Sequence, residues 1–251
     1  MPFAITQLQT FPDAFRYGYK EVEKLHTRIA HLGAQPNGVF QVDCDTYYMN
    51  QQNSQFNDIP GSGSTVNKKL HILHNTETPA STYAIIESPG KQVTLCADLM
   101  FDLLLPRLSH MYTAKKNLKV ETKGTRFTVS DFIVKIGSVS MSSGQYKGIL
   151  VEVEYLACSV PALCWPILRE FLQSFMGFCV SSQPPPYLQV PALVLHSLFP
   201  CEARFQQVQG PQDTMQQYLE KFNEFRESSA YPVTGSLSAS QPGTTSTSTP
   251  S

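Results

Sequence analysis

The chain has 251 residues, 41% hydrophobic and 16% charged, enough for one large domain or two small ones. Its 19 basic and 20 acidic residues leave a formal charge of -1, which argues against a strong electrostatic footprint for nucleic acid or an anionic membrane. No apolar run approaches the roughly 20 residues of a membrane helix. The six cysteines form no CxxC pair, as expected of reduced thiols in an intracellular protein.

The opening "MPFAITQLQTFPDAFRYGYK" lacks the basic-then-apolar layout of a signal peptide. Over residues 15–34, Val22, Leu25, Ile29 and Leu32 recur at spacings of three and four, which predicts an amphipathic helix stopped at Gly33. "GVFQVDCDTYYM" follows as a strand, and the polar stretch from Asn50 to Asn67 reads as a loop. "KKLHILHN", "STYAIIES" and "KQVTLCAD" are three short strands, the last two joined by a tight turn at "SPGK".

Asp98 is placed to cap a helix over "LMFDLLLPRLSHMY", which Pro106 must end or kink. "LKVETKGTRFTVSDFIVKIGSVSM" is too long for one flat strand and is expected to bend near Gly124 or Ser130. "SSGQ" then turns it into "YKGILVEVEYLAC". In "PALCWPILREFLQSFMGF" an apolar stripe of Leu168, Phe171, Leu172, Phe175 and Met176 marks a helix, with a start expected at Pro166. Residues 180–209 read as an irregular Pro-rich insertion. "GPQDTMQQYLEKFNEFRE" returns to helix with Asp213 as its N-cap, and residues 228–251 form a Ser/Thr/Pro-rich tail expected to be disordered. The order of elements predicts an α+β fold: a strongly curved antiparallel sheet closing into a β-barrel, with flanking helices.

Few residues suggest chemistry. Glu152 and Glu154, two apart on a strand, share a face with Leu150 and Leu156, opposite Ile149, Val151, Val153 and Tyr155. A metal-dependent phosphohydrolase in a barrel would need carboxylates converging from at least two strands, with Lys or Arg opposite. Without them, the pair reads as the wet side of a sheet. Asp43 and Asp45 also share a face, but two ligands do not make a metal site. His71 and His74 face opposite sides of their strand. Lys123 and Arg126, beside Gly124, read as solvated surface charges. The sequence contains no GxSxG elbow, phosphate-binding loop or dinucleotide fingerprint. No catalytic, metal or cofactor site is assigned. Met215, Leu219, Phe222 and Phe225 line one side of the last helix and are the candidate partner interface, with packing on its own domain as the simpler alternative.

Taken together, "VDCDTYY", "HILHNTETP", "KVETKGTRFTVSDFIVKIGSVSM", "GILVEVEY", "CWPILREFLQSFMG" and "GPQDTMQQYLEKFN" resemble the Mediator complex subunit 20 (TRF-proximal protein) family. The resemblance covers residues 1–178 and 210–227, and departs from the family pattern over 180–209. It implies a non-enzymatic subunit of the nuclear Mediator head module. Such a subunit pairs with Mediator subunit 18, is tethered through subunit 8, and couples activators to RNA polymerase II. It implies no cofactor, no small-molecule substrate, no membrane and no sequence-specific DNA binding. The family barrel is similar to that of metal-dependent RNA triphosphatases, which use two Glu-x-Glu strands; only one strand segment here, at Glu152 and Glu154, has that form.

Overall fold

A computed structural model describes residues 4–11, 18–50, 68–88, 90–142, 144–158, 160–188 and 209–227. Most of the loop expected after Asn50, residues 189–208 of the Pro-rich stretch, and the 228–251 tail lie outside the described residues. The strands are β1 (Ile5–Phe11), β2 (Gln35–Met49), β3 (Lys69–Asn75), β4 (Ser81–Ser88), β5 (Lys91–Asp98), β6 (Tyr112–Ala114), β7 (Val120–Val129), β8 (Phe132–Met141) and β9 (Tyr146–Tyr155). The helices are α1 (Tyr19–His31), α2 (Met100–Leu104), α3 (Pro161–Met176) and α4 (Pro211–Glu227).

The strands form one antiparallel sheet in the order β1-β9-β8-β7-β2-β3-β4-β5, with β6 beside the end of β2. The sheet is antiparallel and strongly curved, as the pattern of short runs predicts, and it curls into a half-barrel. Its end strands, β1 and β5, do not pair with each other; α4 packs against both and lies in the trough between them. A helix therefore fills the space that a pairing of β1 with β5 would enclose.

Period-two alternation sends each strand's side chains to two different cores. On the outer face, Val134, Ile136, Ile149, Val151 and Val153 are buried under Leu25 and Ile29 of α1 and Leu168, Leu172 and Phe175 of α3. The inner face collects Leu8, Phe40, Val42, Leu73, Ile85, Val120, Val139 and Leu150 around α4. Each such side chain, fully buried, contributes about 1.5–3 kcal/mol. A smaller outer cluster, Leu70, Ile72, Ala84 and Leu105, lies beside α2.

Several boundaries differ from the sequence expectations. α1 spans Tyr19–His31, and Gly33, at φ 86, ends it as expected. The long segment expected to bend is a hairpin: Val129 pairs with Phe132 across Ser130 and Asp131, and Ser130 adopts φ 48. Gly124 sits within β7 opposite Gly137, where a Cβ would strike the Ile136 carbonyl oxygen and Gly137 Cα, so the two strands approach too closely there for a side chain. α3 begins at Pro161, with Pro166 inside it. Pro166 is the sixth residue of the helix, past the four amides that have no helical partner, so it forgoes one backbone hydrogen bond to the carbonyl four residues before it. The α2 helix stops at Leu104 and continues as a 3-10 turn through Pro106. Leu99, not Asp98, holds the N-cap position of α2; the Asp98 carboxylate, one residue earlier, accepts from the Met100 amide at 2.9 Å. Asp213 is not the N-cap of α4. Gly210 holds that place, and the Asp213 carboxylate reaches back to its amide at 2.7 Å, one half of a capping box.

β1 carries no strand signature in its sequence. "ITQLQTF" reads as polar because Thr6, Gln7, Gln9 and Thr10 break its apolar pattern, yet it pairs with β9 along its full length.

Candidate functional site

Glu152 and Glu154 do share a face, and it is the inner one. Directly across the strand pair from Glu152, on β8, is Lys135. Its ammonium lies 3.1 Å from Glu152 Oε1 and 2.5 Å from Glu154 Oε1, and it also meets Glu77 from the β3–β4 turn. Arg126 of β7 holds the same Glu77 at 3.1 Å. From α4, the Tyr218 hydroxyl donates to Glu152 Oε2. Lys135 and Glu152 are each 2% exposed and Tyr218 is fully buried.

Three carboxylates thus face one ammonium, with a guanidinium on the outermost of them, so one negative charge is in excess. Burial would push the Lys135 ammonium down, but Glu152, Glu154 and Glu77 outweigh it and hold its pKa well above the ordinary value. The excess falls on the most deeply buried acid: burial pushes Glu152 up to about 7, against the pull of Lys135. The Lys135 side chain answers Glu152 and Glu154 as a partner, and Tyr218 takes the second oxygen of Glu152. Among the described residues no group of three His, Cys, Asp or Glu side chains is placed to hold a metal ion. The chain's second Glu-x-Glu, Glu21 and Glu23, lies on α1, where Glu21 binds Lys24 at 2.5 Å.

The other candidates also find structural partners. Asp43 and Asp45 share Lys119, at 3.6 and 3.0 Å. Asp43 also meets His74 at 3.4 Å, and His74 reaches Asp102 at 2.9 Å. His71 faces the opposite side, as its strand position requires, between Thr46 Oγ1 at 3.0 Å and Glu87 at 3.1 Å. Burial holds its pKa below the ordinary value. Lys123 pairs with Glu121 at 3.2 Å, and Arg126 is committed to Glu77 instead of standing free.

The stripe of α4 points inward. Met215, Leu219, Phe222 and Phe225 are 2%, 1%, 0% and 8% exposed, packed on the inner face of the sheet. Their apolar area is spent on this chain's own core, so a partner would meet the opposite side of the helix. The polar residues of α4 and the residue before it tie the helix to β1 and β2. Gln217 accepts from the Leu8 amide at 3.1 Å and donates to the Thr6 carbonyl at 3.0 Å. Gln209, just before the helix, takes the Thr6 amide and carbonyl at 2.8 and 2.9 Å. Arg226 binds the Leu118 carbonyl at 2.8 Å and Thr46 Oγ1 at 3.0 Å, fixing the far end of the helix on β2. No local motif marks these roles, because each depends on a partner 108 to 211 residues away in sequence.

Fold and site together define an α+β half-barrel whose trough is filled by its own last described helix. The family described as "TATA-binding related factor (TRF) of subunit 20 of Mediator complex" matches residues 9–223, a span that includes 180–209. Mediator of RNA polymerase II transcription subunit 20 of Anopheles gambiae is 42% identical over 229 residues, 91% of this chain and 97% of that protein. The Homo sapiens protein of the same name is 37% identical over 214 residues, 85% of this chain and 90% of that one. The chain belongs to the Mediator subunit 20 family. Among solved structures, the Schizosaccharomyces pombe Mediator head module matches with a TM-score of 0.33 at 12% identity, covering 68% of this chain and 95% of that chain. An inorganic triphosphatase matches at 0.26 and 15%, covering 49% and 70%. At those scores neither bears on the functional reading.

Proposed function

We propose that this chain works in the nucleus as a non-catalytic subunit of the Mediator head module, a transcription coregulator linking activators to RNA polymerase II. It pairs with Mediator subunit 18 and joins the rest of the head through subunit 8. Residues 1–178 and 210–227 act as one barrel unit, with 180–209 an insertion in it and 228–251 a tail. The contribution of α4 to a core shared with seven strands supports counting it in that unit.

The observation that carries the reading is the state of the inner face. A tunnel enzyme keeps that space for substrate and leaves its carboxylates to a metal. Here Tyr218, Phe222 and Leu219 occupy it, and Glu152 and Glu154 are bound to Lys135. Co-expression of the full chain with Mediator subunit 18, followed by size-exclusion chromatography, tests the pairing: a stable one-to-one complex is expected. Separate elution of the two chains would overturn it. Manganese-dependent release of phosphate from a triphosphorylated RNA end, abolished by Glu152→Gln, would overturn the non-catalytic reading.

A further inference from the structure

The two edges of the sheet are treated in opposite ways. On β1, the amides of Thr6 and Leu8 and the carbonyl of Thr6 are taken by Gln209 and Gln217. Gln7 and Gln9 cover the Leu8 and Thr10 carbonyls, at 2.7 and 3.3 Å. That edge is sealed by glutamine amides.

On β5 nothing comparable occurs. Among the described residues no group outside the sheet hydrogen-bonds to its main chain; Gln216 reaches only the Thr94 hydroxyl. An edge meant to stay in water is usually blunted by lysine, proline, a bulge, an inward charge or a cover. On β5 charges stand only at the two ends, Lys91 and Asp98; residues 92–97 between them hold no charge and no proline, and the register with β4 runs unshifted from Ser88↔Lys91 to Ser81↔Asp98. Its outer face is apolar: Val93 and Leu95 are 37% and 49% exposed, opposite Ile86 and Ala84 of the small outer cluster. The patch continues into Met100 and Leu103 at 65% and 60%. Lys91, on the same face, is exposed and has no ion pair among the described residues.

We propose that β5 is a docking edge, onto which an extended segment of another subunit adds as a further strand. That segment lays apolar side chains over Val93 and Leu95 and places a carboxylate by Lys91. Main-chain hydrogen bonds supply the affinity of such additions, and alternate side chains supply the specificity. A second copy of β5 does not fit as well, because Asp98, the strand's one acid, points to the opposite face from Lys91. The inference rests on reading the chain as a subunit of an assembly.

The test is hydrogen exchange on the full chain, free and co-expressed with the other head subunits, with two exposed-site variants beside it. Amides of residues 91–98 should slow on assembly. Leu95→Lys should lower the fraction recovered in the assembly by about tenfold, because its ammonium would be left in a desolvated contact. Leu163→Lys, on the exposed side of α3, should leave recovery unchanged. The proposal is overturned if 91–98 exchange equally fast in an intact assembly, or if Leu95→Lys assembles as well as the parent. It is also overturned if protection of 91–98 appears in the free chain and rises with its concentration, the mark of self-pairing. Failure of the parent chain to assemble at all defeats the subunit reading itself, a result distinct from each of these.

Discussion

Lys135 is the residue on which the inner face depends. Removing it while leaving Glu152 and Glu154 in place strands the buried Glu152 and leaves the partly exposed Glu154 without its partner, and breaking a buried pair from one side costs about 3–5 kcal/mol. Lys135→Met is therefore expected to lose that much in urea denaturation, and Lys135→Met with Glu152→Gln to recover part of it. Equal stability of Lys135→Met and the parent would show that the cluster is not desolvated. Glu152 has its own pH signature. Its folded pKa, near 7, lies above its ordinary value of 4.5, so the neutral form is the one folding favours. Its contribution is complete below the ordinary value and is lost as pH rises through about 7. Glu152→Gln should accordingly flatten the fall in stability between about pH 5 and about pH 8. A variant with the same slope as the parent would mean that Glu152 stays ionised throughout.

At the scale of elements, α4 does the work of a closing strand. Its apolar side fills the trough, and its glutamines satisfy an edge that would otherwise stand open. Phe222→Ala should cost about 3–5 kcal/mol in the isolated chain, the range for emptying a well-packed aromatic site. A variant that unfolds like the parent but loses a partner would instead make Phe222 an interface residue. Gln217→Ala should cost about 1–3 kcal/mol by leaving the Leu8 amide unpaired in the interior, with that amide exchanging faster. The periodicity of "QQYLEKFNEF" made the helix legible, and period two made β3, β4, β5 and β9 legible. What the pattern cannot carry is direction: an apolar stripe is the same whether it faces its own sheet or a partner. β1 is illegible in the sequence for a related reason. Its glutamines look like surface residues, whereas they cover the edge carbonyls of their own strand.

At the scale of the whole molecule, the sequence was sufficient for fold class and family, because both rest on local phrases in a fixed order. The candidate site was legible only in half. Glu152 and Glu154 were visible as a pair on one face; that the face is interior, and that Lys135, Tyr218 and Glu77 meet there, depends on pairings of β8 with β9 and of α4 with the trough. The central claim is that this half-barrel, filled by its own helix, acts by being held in an assembly. Purification of the tagged full chain from nuclear extract at moderate salt, with the bound proteins quantified by mass spectrometry, tests it most directly. Mediator head subunits recovered in stoichiometric amounts are the expected result. Recovery of the chain by itself, with no Mediator subunit above background, would contradict the account.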